Sequence, residues 1–211
     1  MFPRTLIQRW SNWNANMPRK DVLRSMFTYD LGDGAELRIL EARHAEEFLA
    51  FIAANRTYLG EYLGWALDIQ TAEDARGFIQ RGLTRFAEDG LPWVGIWQDG
   101  EMAGGLLFFP LDRRIHATEI GYWLGKRAAG RGLMTRTARA MLGFAFEEMN
   151  MNRVGLQAEV GNQRSRAVAE RLGFTLEGIR PQAWVGSDGA FVDIATYSLL
   201  ASEWQASKTP G

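Results

Sequence analysis

Eight consecutive residues carry the densest chemistry in the chain: Gly125-Lys126-Arg127-Ala128-Ala129-Gly130-Arg131-Gly132. Glycine lets a backbone approach an oxyanion without a Cβ in the way. Lys126, Arg127 and Arg131 add full positive charges, and arginine can grip a phosphate through two nitrogens at once. The stretch before it, Glu119-Ile120-Gly121-Tyr122-Trp123-Leu124, has the bulky β-formers of a strand, and the stretch from Leu133 on reads as a helix. A strand, a glycine-rich basic turn and a helix start together form a phosphate cradle. The unpaired amides of the helix N-terminus point outward, and its dipole favours negative charge. The alternative is a glycine turn that only caps the helix.

Two familiar phosphate loops do not fit. A P-loop needs GxxxxGK[ST], and the order here differs. A dinucleotide fold needs GxGxxG after its first strand, whereas only Gly130-x-Gly132 is present, more than halfway along the chain. Cysteine is absent, so there is no disulfide, thiolate metal site or cysteine nucleophile. The two histidines, His44 and His116, are far apart and do not suggest a zinc site, so no metal is expected.

The segment EIGYWLGKRAAGRGLMTRTARAML resembles the acetyl-CoA-binding segment of the GNAT acetyltransferase superfamily, in its ribosomal-protein N-acetyltransferase (RimJ/RimL-like) branch. Asn162-Gln163-Arg164-Ser165, Glu170-Arg171-Leu172-Gly173-Phe174 and Leu176-Glu177-Gly178 resemble the second signature of that branch, and Arg56 through Trp65 its early helical segment. The resemblance spans roughly residues 30 to 204. It implies a GNAT acyl-CoA N-acyltransferase fold: α/β, with a mixed sheet of about seven strands flanked by helices and splayed at the coenzyme site.

The resemblance also implies roles. Backbone amides from Ala129 through Gly130, Arg131, Gly132, Leu133 and Met134 to Thr135 would wrap the pyrophosphate of acetyl-CoA, with Lys126, Arg127 and Arg131 beside it. Two registers of the superfamily's Q/R-x-x-G-x-G/A are open: Ala129, Gly132 and Met134, or Arg127, Gly130 and Gly132. Tyr122, Trp123 and Leu124 would line the pantetheine arm. Asn162 matches the residue that reaches that arm, and it also suits an N-cap. Glu119 matches the glutamate that takes the amine proton in several members; otherwise it is a solvated or salt-bridged strand residue. Many members place a tyrosine where Ala169 stands, so Ser165 becomes the donor to the leaving sulfur, or else a first-turn serine bonded to backbone. Tyr197 is a further candidate acid, or a core tyrosine. The branch's carboxylate after Glu177-Gly178 is replaced by Trp184. Tyr58, Tyr62 and Trp65, with Trp184, would then receive the acceptor, or else pack in the core.

The implied function is direct transfer of acetyl to an amine in a ternary complex, the acceptor being the N-terminal α-amine of a ribosomal protein. The alternatives are a small-molecule amine such as a polyamine or antibiotic, or a module that binds acetyl-CoA without turnover. The implied compartment is the cytoplasm, with a homodimer left open.

The elements that must position these residues follow from pattern. Ala35 to Ala42 alternates as a strand, and His44 to Leu63 reads as one or two helices. Thr71-Ala72-Glu73-Asp74 opens a helix carrying Phe78, Ile79, Leu83 and Phe86 at helical spacing. Pro92 to Gln98, Met102 to Leu111 and Ala117 to Leu124 read as strands, apolar on both faces, so helices should cover both sides. Met134 to Met149 reads as a helix, Arg153 to Val160 as a strand and Gln163 to Leu172 as a helix stopped by Gly173. Phe174 to Val185 and Phe191 to Leu200 form a final hairpin.

The chain has 211 residues, 46% of them hydrophobic and 23% charged, which is enough to bury a core without staples. A net charge of −1 gives no basic field for nucleic acid. No apolar run reaches the roughly eighteen residues of a membrane span, and the N-terminus does not read as a secretory signal. The expected organisation is an N-terminal extension (1–27), one domain (28–206) and a C-terminal tail (207–211).

Overall fold

The computed structural model describes residues 28–208, so the extension expected at 1–27 lies outside the described residues. Eight strands form one sheet in the order β1-β2-β3-β4-β5-β6-β8-β7. They are β1 (Thr28–Gly32), β2 (Ala35–Ile39), β3 (Val94–Gln98), β4 (Glu101–Phe108), β5 (Ala117–Leu124), β6 (Arg153–Glu159), β7 (Thr175–Val185) and β8 (Phe191–Leu200). The helices are α1 (Ala45–Gly60), α2 (Trp65–Asp68), α3 (Ala72–Asp89), α4 (Leu133–Gly143), α5 (Gln163–Arg171) and α6 (Ala201–Ala206). Every neighbouring pair of strands is antiparallel except β5 and β6, which α4 connects as a parallel crossover.

Two details depart from the sequence expectation. β1 precedes the first expected strand, pairing with β2 across the Asp33-Gly34 turn. The expected helix Met134 to Met149 is α4 followed by a π-helical turn, Phe144–Glu148, in which the Met149 N–H reaches the Phe144 carbonyl. Phe146 stacks on Trp204 of α6 there, and the Trp204 indole donates to Glu147.

Strand alternation sends successive side chains to opposite faces, and the sheet separates two cores. Leu106, Phe108, Ile120 and Leu156 pack with Met134, Ala138, Met141 and Leu142 of α4. Leu107 and Trp123 pack on the other side with Phe48 and Ile52 of α1 and Phe78 and Ile79 of α3. Full burial of a side chain such as Phe48 or Ile79 is worth roughly 1.5–3 kcal/mol. These two layers clamp β4 and β5, and so fix the strand that carries the site.

The helix starts differ in a way that matters for function. α3 is closed by a capping box: Thr71 Oγ1 accepts from the Asp74 N–H, and Asp74 accepts from the Thr71 N–H at 2.8 Å. Thr71→Ala should therefore lower unfolding free energy by about 1 kcal/mol. A denaturant midpoint shift with an unchanged slope would show it; an unshifted midpoint would mean that the cap contributes nothing. α5 is capped by Asn162, whose side chain accepts from the Ser165 N–H at 3.1 Å. α4 has no side-chain cap and no acidic residue in its first turn.

Candidate active site

β5 and β6 pair only from Ala117↔Arg153 to Ile120↔Leu156, and then they part. On the other side β5 stays paired with β4 to its end. The Phe109 N–H bonds the Glu119 carbonyl, and the Gly125 N–H bonds the Ala103 carbonyl. Odd-numbered residues of β5 therefore direct their backbone groups to β4. The even ones beyond the last β6 pair, Tyr122 and Leu124, turn theirs into the gap. Unpaired strand amides at a buried gap require a partner, and a ligand can supply it.

The gap opens into a cleft of 1420 Å³. At one end lies the bend into α4. Gly130 and Gly132 have φ of 79° and 74° there, a left-handed conformation that strains other residues. A Cβ built on either glycine meets no atom within 4 Å, so the bend borders open space. Ala129, Gly130, Gly132, Leu133, Met134 and Thr135 all line the cleft. With no capping side chain and no carboxylate in its first turn, the N-terminus of α4 keeps free amides and an uncompensated dipole for an anion. The expected pyrophosphate cradle thus fits a coenzyme diphosphate.

Lys126, Arg127 and Arg131 are exposed and outside the cleft lining. The turn Lys126–Ala128 is held from behind, where Asn55 Oδ1 accepts from the Lys126 N–H at 3.0 Å. Arg136 and Arg171 line the cleft instead. Arg136 bonds Asp33 at 2.6 Å while its Nε is buried without a partner, and Arg171 donates to Thr135 Oγ1 at 3.2 Å. The sequence reading singled out neither. The available signal was helical spacing: Arg136 sits one turn into α4, above the bend.

In the middle of the cleft, the even face of β5 presents Tyr122. Its hydroxyl lies 3.0 Å from Ser165 Oγ and 3.1 Å from the Ser165 carbonyl. Burial pushes the Tyr122 hydroxyl up to about 12, with the Ser165 hydrogen bond opposing, so it stays protonated. Asn162 and Ser165 both line the cleft. Tyr197 is fully buried, and its hydroxyl accepts from Arg166 and donates to Glu170, which makes it a core tyrosine. Ala169 is also fully buried.

The odd face presents Glu119 and Trp123. Glu119 stands opposite Gly155, and Gln157 Nε2 donates to its Oε2 at 2.8 Å. Burial raises the Glu119 carboxyl above the usual carboxylate range, while the Gln157 hydrogen bond and the Arg180 charge pull the other way. Trp123 borders the cleft, but its ring belongs to the aromatic core, 5.2 Å from Trp65 and 5.9 Å from Phe78.

Tyr58, Tyr62, Trp65 and Trp184 line the far end of the cleft. Trp65 is mostly a core residue, stacked on Phe78 at 4.8 Å. Trp184 is 62% exposed, as a wall facing solvent would be. Arg164 donates to the Tyr58 hydroxyl at 2.9 Å, and Ser187 in the β7–β8 turn donates to the Glu61 carbonyl at 3.1 Å. The hairpin is thereby tied to the end of α1 beside the cleft. Glu61 and Glu159 line this end, and burial, then Asp188 and Glu61, hold the Glu159 carboxyl above its ordinary range. Among the described residues no cluster of ligating side chains could hold a metal, and no helix is long and apolar enough to cross a membrane.

An antiparallel-to-parallel sheet that splays after β5, with an open helix N-terminus beneath the gap, defines the GNAT class of acyl-CoA transferases. A family model described as an acetyltransferase (GNAT) domain matches residues 35–175, and the chain belongs to that family as an acetyl-CoA-dependent acetyltransferase. It is closely related to the ribosomal-protein N-acetyltransferases. YdaF of Bacillus subtilis (strain 168), whose name places it provisionally among ribosomal N-acetyltransferases, is 35% identical over 184 residues, 87% of this chain and all of that one. The solved structure of RimL, a ribosomal L7/L12 α-N-protein acetyltransferase in complex with coenzyme A, superposes with a TM-score of 0.79 at 27% identity, over 83% of this chain and 99% of that one. That of MccE, a microcin C7 self-immunity acetyltransferase in complex with acetyl-CoA and AMP, gives 0.74 at 26% identity, over 81% and 94%.

Proposed function

We propose that this enzyme acetylates the N-terminal α-amine of a ribosomal protein, by direct attack of the amine on acetyl-CoA bound in the same cleft. The observation that carries the reading is the half-buried Glu119 carboxyl in the cleft that also holds the open edge of β5 and the uncapped start of α4. Acetyl-CoA supplies the acetyl group as a thioester. The α4 amides at Leu133 to Thr135, with Arg136 and Arg171, hold the diphosphate. The β5 backbone at Tyr122 and Leu124 aligns the pantetheine and gives the thioester oxygen an N–H as negative charge develops there. Glu119 takes the proton that the amine sheds as the carbon–nitrogen bond forms. The Ser165 hydroxyl donates to the sulfur as the carbon–sulfur bond breaks. An α-amine suits this site, because its reference pKa is about 7.7–8.0 against about 10.4 for lysine, so it is partly neutral near pH 7. RimL, which superposes over 99% of its length, acts on a protein α-amine by its name.

A second reading is a small polycationic amine. The carboxylates of Glu61 and Glu159 at the acceptor end, with Asp188 close to Glu159, favour it. Mixing the enzyme with acetyl-CoA and either serine- or alanine-initiated ribosomal peptides or spermidine, and following free thiol, separates the two. The proposal expects thiol release with the peptides and mass added at the α-amine. Turnover with spermidine alone, or mass added at lysine alone, would overturn it.

Ser165→Ala should lower kcat at least about tenfold, the loss of one hydrogen bond to a charged atom, while leaving coenzyme affinity nearly unchanged. Tyr122 keeps its bond to the Ser165 carbonyl in that variant, so the fold should hold. A kcat equal to wild type would remove Ser165 from the mechanism.

A further inference from the structure

Glu119 does not stand alone on the odd face of β5. Gln157 of β6 donates its amide N–H to Glu119 Oε2 at 2.8 Å. Arg180 of β7 donates Nη1 to the other end of that amide, Gln157 Oε1, at 3.2 Å. The two bonds fix which way the amide points, since a flipped Gln157 would aim a carbonyl at a carboxylate and an NH₂ at a guanidinium. Three strands thus contribute one residue each to a directed chain, arginine to glutamine to glutamate. Among the described residues, only Oε2 of Glu119 has a hydrogen bond, and Oε1 remains available to the cleft.

We propose that Gln157 and Arg180 are positioning residues, which commit one oxygen of Glu119 and leave the other turned to the acceptor amine. This rests on the reading of Glu119 as the base. The neighbours leave few rivals for the role. Across from Glu119 on β6 is Gly155, which carries no side chain. A Cβ there would already touch Glu119 Cγ at 3.6 Å, so the site is kept clear for an acceptor. Of the other charged residues on that face of β6, Arg153 is engaged by Glu177 at 2.7 Å. Glu159 lies two residues beyond Gln157, toward the acceptor end. β4 faces Glu119 with Leu107 and Phe109, neither of them titratable. Gln157 and Arg180 are therefore the groups that oppose protonation of this half-buried carboxyl; without them its partial burial acts unchecked.

β7 has a reason to place Arg180 there. Three residues, Pro181, Gln182 and Ala183, bulge between the pairs Arg180↔Ile194 and Trp184↔Val192. Gln182 takes a φ of 48° in the bulge, and its N–H is held by Asp193 Oδ1 at 2.9 Å. The bulge bends β7 between Arg180 and the cleft wall at Trp184, and bulges commonly re-aim side chains beside active sites.

The test titrates Glu119 directly in the full-length enzyme, by carboxyl-carbon NMR of glutamate-labelled protein, the Glu119 signal being assigned by its loss in Glu119→Gln. In Gln157→Leu the midpoint should move up by about one pH unit, and in Arg180→Met by less. The acid limb of kcat with a ribosomal peptide bearing a free N-terminal amine should follow both shifts, while coenzyme affinity by calorimetry stays unchanged. Midpoints equal to wild type in both variants would overturn the proposal, as would a fall in kcat with an unmoved limb. Failure of the base reading looks different: the midpoints would move, but Glu119→Gln would keep full activity.

Discussion

Glu119→Gln should lower kcat by about 10²- to 10⁴-fold, the usual contribution of a positioned general base. The amide is nearly the size of the carboxylate, and Gln157 can still donate to its oxygen, so coenzyme binding and fold should persist. The pH profile carries the sharper signature. A base works only when deprotonated, so wild-type kcat falls as pH drops through the Glu119 pKa. Burial raises that pKa above the ordinary 4.5, which places the acid limb above 4.5 and moves it toward neutrality. The variant should lose that limb and turn over slowly and evenly across the same range. Steady-state thiol release at saturating peptide measures both effects. Activity above about a third of wild type, with the limb still present, would mean that another group takes the proton.

Gly132→Asp should weaken coenzyme binding roughly hundredfold, equivalent to about 3 kcal/mol. Gly132 is the N-cap residue of α4 with a φ of 74°. An aspartate there would fold its carboxylate onto the free amides, as capping aspartates do. It would also set a negative charge against a diphosphate. Gly132→Ala isolates the backbone component. Its Cβ meets no atom within 4 Å, so only left-handed strain of about 1–2 kcal/mol acts, chiefly on stability. Calorimetric titration of both variants with coenzyme A should separate them widely. Equal affinities for aspartate and alanine would argue against an anion at this position.

Both predictions rest on residues that the amino-acid sequence itself singles out. The bend after Leu124 was legible because two glycines at left-handed φ, flanked by β-formers and an apolar helix stripe, allow few other structures. Glu119 was singled out only through the resemblance to the GNAT family. The expected strands from β2 onward are all present; the apolar runs of β3 and β4 are buried on both faces, whereas β7 is largely exposed.

What the sequence hid was mostly long-range. β1 is five residues, largely exposed at the sheet edge, and its pattern carries no core signal. In the π-helical turn Phe146 stacks on Trp204, nearly sixty residues away in sequence. The cations nearest the bend in sequence, Lys126, Arg127 and Arg131, are exposed and not among the residues lining the cleft. Those lining it, Arg136 and Arg171, come from the turn above and from another helix. Linear proximity gives the local charge density but not which cations line the cleft. Gln157 and Arg180 were illegible for the same reason: a neutral amide two strands from an arginine has no local pattern. Trp123 shows the limit of reading a strand as a unit, since its neighbours Tyr122 and Leu124 open onto the gap while its own backbone pairs with β4 and its ring fills the opposite core.

The most direct test of the account is a crystal structure of the enzyme with acetyl-CoA. The account predicts the diphosphate on the amides of Leu133 to Thr135, the pantetheine along the open edge of β5, and the thioester between Glu119 and Ser165. A coenzyme seated elsewhere, with the bend at Gly130 to Gly132 empty, would contradict it.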